Sequence, residues 1–271
     1  MAEAKDKAGN PEYGLGLLGH QIPSELRRLR ALEEFADPIT RTIISGLGID
    51  SGWHCLELGG GAGSIARWMA ERCAHGEVVV TDIDTHLLPR EVPNLSVLKH
   101  DVMHDDFPPA SFDVVHARAL LEHLPAREEA IARMAGWTVP GGWVFVEGVI
   151  VISSSGRHAL QRCMNALIAL SSRMQTDLGW ATELPRLLGE AGLDNIGVRC
   201  TPGLVGRNSN ANELLRLTFE QTGPTLVEQG LTTRSDLAAC MALLDDGDHT
   251  HLAYLILSTW GQRARNRPHR Q

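Results

Sequence analysis

The chain has 271 residues, 43% of them hydrophobic and 21% charged, with a formal net charge of -8 and five cysteines. That size allows one large buried core, and no apolar run approaches the roughly 20 residues that span a bilayer, which excludes a helical membrane protein. The acidic balance disfavours nucleic acid, whose binding rests on basic patches that release phosphate counterions; the spacing of Cys55, Cys73, Cys163, Cys200 and Cys240 fits neither a metal site nor a disulfide framework.

The opening ten or so residues mix charges, lack the apolar core of a secretory signal and read as disordered, so a cytoplasmic location is expected. Residues 24–47 read as two helices broken at Asp37–Pro38, with Leu26, Leu29, Leu32 and Phe35 on one stripe. They form an N-terminal helical lid, within residues 1–50, placed to lie over the carboxyl edge of the first strand.

From 51 to 152 the pattern alternates. Short β-branched runs at 54–59, 77–82, 95–100, 112–117 and 142–152 are separated by helical stretches at 64–73, near Leu87 and at 126–137. Such alternation predicts βαβ units with right-handed crossovers and a parallel sheet buried on both faces, an α/β doubly wound fold. Pro140, Gly141 and Gly142 turn the last helix into the fifth strand, which is expected to end near Glu147 and Gly148.

Residues 153–271 add helical stretches at 157–174, 181–193, 210–229 and 234–244, with strands at 195–200 and 251–261. Late insertions of this kind build a substrate cap over an α/β sheet. No repeat or low-complexity linker divides the chain, so 1–271 is expected to be a single domain. The helical block also offers an apolar face to a second copy, hence a possible homodimer.

The stretch LELGGGAGS packs four glycines behind Glu57, at the point where a doubly wound sheet binds its ligand. A dinucleotide loop, GxGxxG, would give Gly59, Gly61 and then Ser64, and fails at the third glycine. The alternative frame, E-x-G-x-G-x-G, is met by Glu57, Gly59, Gly61 and Gly63. A carboxylate there opposes a pyrophosphate and suits a ligand carrying an ammonium group.

These residues resemble the first motif of class I S-adenosylmethionine-dependent methyltransferases. The resemblance runs from about residue 13 to 261 and is similar to actinobacterial-type small-molecule enzymes, many of them linked to natural products and secondary metabolism. It implies a Rossmann-like seven-stranded sheet with the last strand antiparallel, S-adenosyl-L-methionine as cofactor and a small cyclic or aromatic acceptor methylated at oxygen, nitrogen or carbon. It also implies Asp82 on the ribose hydroxyls with Asp84 as the fallback, Ile83 on the adenine face, Asp101 and the Val102 amide on the adenine edge, and Tyr13 closing over the methionine end.

Methyl transfer to a hydroxyl or ammonium group calls for a base, and histidine suits neutral pH. His116 and His123 follow the fourth strand, whose end faces the transferring methyl group in the family, and form the candidate catalytic pair; His116 is also expected to line the methionine site. Arg118 is expected to meet the cofactor carboxylate, a substrate anion or a surface partner, and His100 to support the adenine loop. Trp180 is expected to wall the acceptor pocket, while Met164, Leu167, Met174 and Leu178 have the spacing of core residues. Two other readings stand beside this one: a non-methylating enzyme or binding module on the same scaffold, and a nicotinamide-dependent oxidoreductase.

Overall fold

A computed structural model describes residues 17–152, 158–206, 209–246 and 250–265. Seven strands form one sheet in the order β3-β2-β1-β4-β5-β7-β6. They are β1 (His54–Leu58), β2 (Glu77–Asp82), β3 (Leu95–Lys99), β4 (Phe112–Arg118), β5 (Thr138–Val151), β6 (Leu193–Val205) and β7 (His251–Arg263). The first five run parallel and β7 lies antiparallel to both its neighbours. The doubly wound fold with an antiparallel last strand is therefore present.

The sheet is buried on two faces by different means. Helix α1 (Glu25–Gly46) and α2 (Ser64–Arg72) cover one, packing Ile43, Ile44, Ile65 and Met69 against Val78, Val80, Val114 and Phe145. Helix α3 (Arg127–Trp137) and α5 (Leu184–Glu190) cover the other, around Leu56, Val115, Val144 and Val146. A third core belongs to the cap, where α4 (Ala159–Arg173), α6 (Asn210–Glu228) and α7 (Arg234–Asp245) close on the end of β7 and on Leu32 and Ala36 of α1.

The expected break at Pro38 is absent: α1 is one helix of 22 residues with the proline inside. Proline at this position removes the hydrogen bond to the carbonyl four residues earlier, and Asn210 Nδ2 supplies a replacement donor to that Glu34 carbonyl at 3.1 Å. Two further expectations shift. The helix near Leu87 is a single 3-10 turn, Thr85–Leu87. The glycine turn at 141–142 is absorbed into β5, where the register shifts opposite Phe112 and Val114. Strand β5 continues past Glu147 and Gly148 to Val151, in line with the run 142–152; at Gly148 a Cβ would stand 2.5 Å from that of Ala181, so glycine lets the next layer close on the strand.

Among the described residues of the helical block, Leu160, Met164, Leu167, Leu215 and Phe219 lie inside the cap core. Exposed apolar side chains gather on β6 and the start of β7 instead, at Ile196, Val198, Leu204 and Leu252. Cys55, Cys73, Cys163 and Cys240 are buried thiols, whereas Cys200 is exposed. Among the described residues no helix is long and apolar enough to cross a membrane.

Strand register carries a row of charges through the interior. Glu57 pairs with His116 across β1 and β4, and Arg118, Glu147 and Ser258 align across β4, β5 and β7. His116 is fully buried, 3.7 Å from Glu57 through Nδ1 and 3.4 Å from Glu147 through Nε2. Burial works against its charged form, yet the two carboxylates raise its pKa above the ordinary histidine value. Glu147 is likewise desolvated, and its pKa is nevertheless lowered by His116, Arg118 and a 2.6 Å hydrogen bond from Ser258. Thr40 of α1 donates to Glu147 and receives Arg118 Nη1 at 3.1 Å; Arg118 Nη2 meets Asp37 at 2.9 Å, and Asp37 accepts from Ser64 at the start of α2 at 3.0 Å.

Substituting His116→Gln removes the cation between two buried carboxylates and leaves Arg118 alone to offset them, a change that costs about 3–5 kcal/mol in comparable sites. Because the folded pKa of His116 is raised, its contribution is complete below about 6.5, the ordinary value, and fades as pH rises through the folded value. Denaturant titration should therefore find the loss largest under acidic to neutral conditions and smaller in alkali.

Candidate functional site

A cavity of about 1210 Å³ opens at the carboxyl ends of β1, β2 and β4, roofed by residues 17–21 and α1 and extended beneath α4 and α6. One drug-sized ligand occupies roughly 300–1,000 Å³, so the space suits two molecules. Its two ends differ in chemistry.

The first end is built by strand-to-helix turns. Glu57, Gly59, Gly60 and Gly61 line it, with Asp82 and Ile83 from the end of β2 and Asp101 and Val102 from the end of β3. Gly61 has a left-handed φ of 56°, and its amide donates to Asp82 Oδ2 at 3.2 Å, while Asp84 N donates to Oδ1 at 3.1 Å. Two backbone donors thus aim the Asp82 carboxylate; burial raises its pKa against the pull of His20 and these amides. Gly63 stands apart from the wall. It caps α2 at φ 81°, where a Cβ would fall 2.4 Å from Pro89 Cδ, so this glycine serves packing.

Ile83 is 38% exposed, open to a planar ligand, and Val102 is buried. The Asp101 carboxylate takes the Met103 amide and His104 Nδ1, both at 2.9 Å. His100 stacks on Phe107 with ring centroids 4.6 Å apart, and burial lowers its pKa. Segment 17–24 reaches over this end: His20 Nδ1 bonds the Asp84 carbonyl at 2.9 Å and Gln21 Nε2 the Asp84 carboxylate at 2.6 Å. With His86, this places ligating atoms of His20, Asp84 and His86 within 4.8 Å of one another. Tyr13 lies outside the described residues.

At the inner corner the charges suit an amino acid. Glu57 Oε2 is buried without a hydrogen-bond partner, beside the glycine loop, an acceptor awaiting a donor. Glu33 of α1 also lines the corner, its pKa raised by burial and then by Asp37, and Arg118 supplies the cation. Arg118 is thus a buried group held by Asp37 and not a surface ion pair. Sequence reading missed Glu33; its signal was charge on the buried stripe of a helix, at a helical spacing of one turn from Leu29 and Asp37.

The second end is apolar. Met164, Leu167, Met174 and Leu178 line it, so residues assigned to core alone also form its wall. His123 faces this end, Nδ1 at 3.0 Å from Thr176 Oγ1. Burial, then the charges of Arg28 and Arg127, lower its pKa to about 3, so it is neutral at any physiological pH. His116, expected both as base and as cofactor contact, is not part of the cavity wall: it lies fully buried between Glu57 and Glu147 and touches the site only through them. Trp180 is also off the wall; it packs in the core beneath β5, with Arg127 over its ring. Glu122 borders the cavity and takes the Val149 amide at 3.4 Å, and its burial raises its pKa to about 7.

Residues 56–146 match the family model described as a methyltransferase domain. Over 97 residues the chain is 35% identical to "Methyltransferase str3" of Strobilurus tenacellus, covering 35% of this chain and 34% of that protein. Over 135 residues it is 31% identical to a "Ubiquinone biosynthesis O-methyltransferase" of Paracidovorax citrulli, covering 46% and 53%. The chain thus spans about a third to a half of these relatives. Among solved structures it superposes on phosphoethanolamine N-methyltransferase 2 of Haemonchus contortus, complexed with phosphomonomethylethanolamine and S-adenosylhomocysteine, with a TM-score of 0.55, 17% identity and coverage of 94% of this chain and 56% of that one. The [4+2]-cyclase SpnF superposes with a TM-score of 0.55 and 16% identity over 85% of this chain and 82% of its own. At these identities the structures establish the fold alone.

Glu122 gives a test of how dry this wall is. Its folded pKa stands above the unfolded value of 4.5, so stability is full below that value and falls as pH rises towards about 7. Glu122→Gln removes the penalty: thermal unfolding should find the variant more stable than the parent at pH 8, by up to about 3 kcal/mol, and no more stable at pH 4.

Proposed function

We propose that this chain, built around a class I S-adenosylmethionine-dependent methyltransferase domain at residues 56–146, transfers a methyl group to a small, apolar, cyclic or aromatic metabolite at oxygen, nitrogen or carbon. The observation that carries the reading is the unpartnered Glu57 Oε2 beside the glycine loop, a buried acceptor matched to an ammonium donor. When bound, S-adenosyl-L-methionine supplies an electrophilic methyl group on a sulfonium centre.

Each residue then has one task. Glu57, with Glu33 beside it, receives the ammonium group, and Arg118 answers the carboxylate. Gly59 and Gly61 leave room for the chain of the ligand to pass close to backbone. Asp82, aimed by two amides, takes the ribose hydroxyls; Ile83 covers the adenine face, and Asp101 and the Val102 amide read its edge. His116 keeps Glu57 in place from behind. His123, anchored on Thr176, meets the acceptor, and the aliphatic wall excludes water and limits the acceptor's orientations.

A small-molecule acceptor rather than a nucleic acid is supported by the aliphatic side chains that line the second end of the cavity and by the net charge of -8. A non-methylating enzyme on the same scaffold, as the likeness in fold to a cyclase suggests, would keep the cofactor residues and differ only in failing to turn the cofactor over.

Calorimetric titration with S-adenosyl-L-methionine, S-adenosylhomocysteine and NAD in parallel tests the site. Micromolar binding of the first two and none of NAD is expected; NAD binding alone would make the loop a dinucleotide site. A side chain at Gly61 would strain a left-handed φ and press on Leu29, whose Cδ2 already stands 3.4 Å from a Cβ; Gly61→Val should abolish cofactor binding while circular dichroism stays unchanged. Asp82→Ala should weaken binding by about 1.5–3 kcal/mol for each charge-assisted hydrogen bond lost.

A further inference from the structure

Segment 17–24 and the loop after β2 meet at the mouth of the cavity through side chains of one chemistry. Among the described residues, His20, Asp84 and His86 form the one group of histidine, cysteine and acidic side chains whose donor atoms converge, all within 4.8 Å of one another. His20 comes from the segment ahead of α1, Asp84 follows the end of β2, and His86 stands in the 3-10 turn Thr85–Leu87. His20 and Asp84 border the cavity, whereas the His86 side chain is 42% exposed.

Backbone already orients these side chains. The Asp84 carbonyl accepts from His20 Nδ1 at 2.9 Å, which fixes the ring and leaves the lone pair of the neutral imidazole on Nε2; ligating histidines are commonly held by such a carbonyl. Asp84 caps the turn by accepting the His86 amide at 3.2 Å, so the turn itself keeps its carboxylate beside the His86 ring.

The contacts between the side chains, by contrast, do not satisfy one another. His86 Nδ1 lies 2.9 Å from Asp84 Oδ1 and 3.3 Å from Gln21 Nε2. A neutral ring nitrogen can donate to the carboxylate or accept from the amide, and it cannot do both. Gln21 Nε2 also reaches Asp84 Oδ2 at 2.6 Å, so one exposed amide group stands where lone pairs of a carboxylate and an imidazole meet. A cation there would suit both. Two imidazoles and one carboxylate make a donor set of borderline softness, matched to zinc and its neighbours and unlike the oxygen sets of magnesium and calcium. Ligation at about 2.0–2.2 Å sets tetrahedral donors about 3.3–3.6 Å apart, a small tightening of the group.

We propose that His20, Asp84 and His86 bind a divalent transition-metal ion, zinc by the chemistry of the donors, with water completing the shell, and that the ion clasps segment 17–24 to the end of β2. Ligation joins residues 64 positions apart, His20 and Asp84, and so fastens the segment more firmly than its hydrogen bonds alone. The ion needs no contact with the ligand of the cavity, so the clasp does not depend on what that ligand is.

The test uses the full chain, stripped of metal by a chelator and titrated calorimetrically with zinc chloride alone, with hydrogen exchange followed by mass spectrometry on the same samples. One equivalent should bind with micromolar affinity or better, and the amides of 17–24 and 84–88 should exchange more slowly with the ion than without it. Cobalt(II) in its place should show the visible ligand-field absorption of a four-coordinate ion. His20→Gln and His86→Gln should each lower the affinity roughly tenfold or more and remove the protection. His75→Gln and Cys200→Ser, at exposed groups elsewhere, should change neither. His86→Gln leaves the bond from His20 to Asp84 in place, so its metal-free exchange should match the parent, and a fault in folding cannot imitate the result. Absence of a zinc equivalent, affinity that survives both histidine variants or falls equally in the two controls, or binding that leaves exchange of 17–24 unchanged would each overturn the inference.

Discussion

The buried imidazole of His116 between two carboxylates is the interaction on which the arrangement of this site depends. A charge in that position is costly to desolvate, and it persists because register places Glu57 on one side and Glu147 on the other. From Glu147 the chain of contacts runs through Thr40 and Arg118 to Asp37 and Ser64, so the sheet, the roof helix and the helix after the glycine loop share one polar network. The network spends one oxygen of Glu57 on the protein and leaves the other for a ligand. An apolar core at the same place would be easier to fold, but it could not hold a carboxylate at a fixed angle beside a glycine loop.

The two ends of the cavity show a division of labour. Backbone and short acidic side chains at strand ends form the first, where precision follows from the sheet itself. Long side chains of α1, α4 and α6 form the second, and their geometry depends on how three helices pack. Changes of one methylene in the second end act first on the packing of those helices.

Much of the fold was legible because its signals are local. Runs of β-branched residues mark β1 to β4 to within a residue or two, and Glu57, Gly59, Gly61 and Asp82 are readable from spacing after a strand. What escaped depends on partners distant in sequence. Pro38 reads as a break, and only Asn210, 172 positions later, supplies the donor that keeps the helix whole. His116 reads as a base because it follows the right strand, yet the pairing of β4 with β5 turns it away from the wall and into an ion pair. Glu25, Arg28 and Glu33 were hidden for a different cause: charges on a surface helix are usually solvated, and nothing in the stripe of leucines says that a cap will close over them.

The donor from Asn210 has a mechanical meaning. By filling the gap left by Pro38, it supports α1 where its own ladder lacks a bond, and it fastens that helix to the cap. The weaker attachment of the roof lies ahead of that helix. Residues 17–24 are pinned at one side by Asp84 and at the other by Gln221, through side-chain hydrogen bonds that water can replace one at a time. The roof thus joins a helix fastened along its length to a short strap held by a few separable bonds.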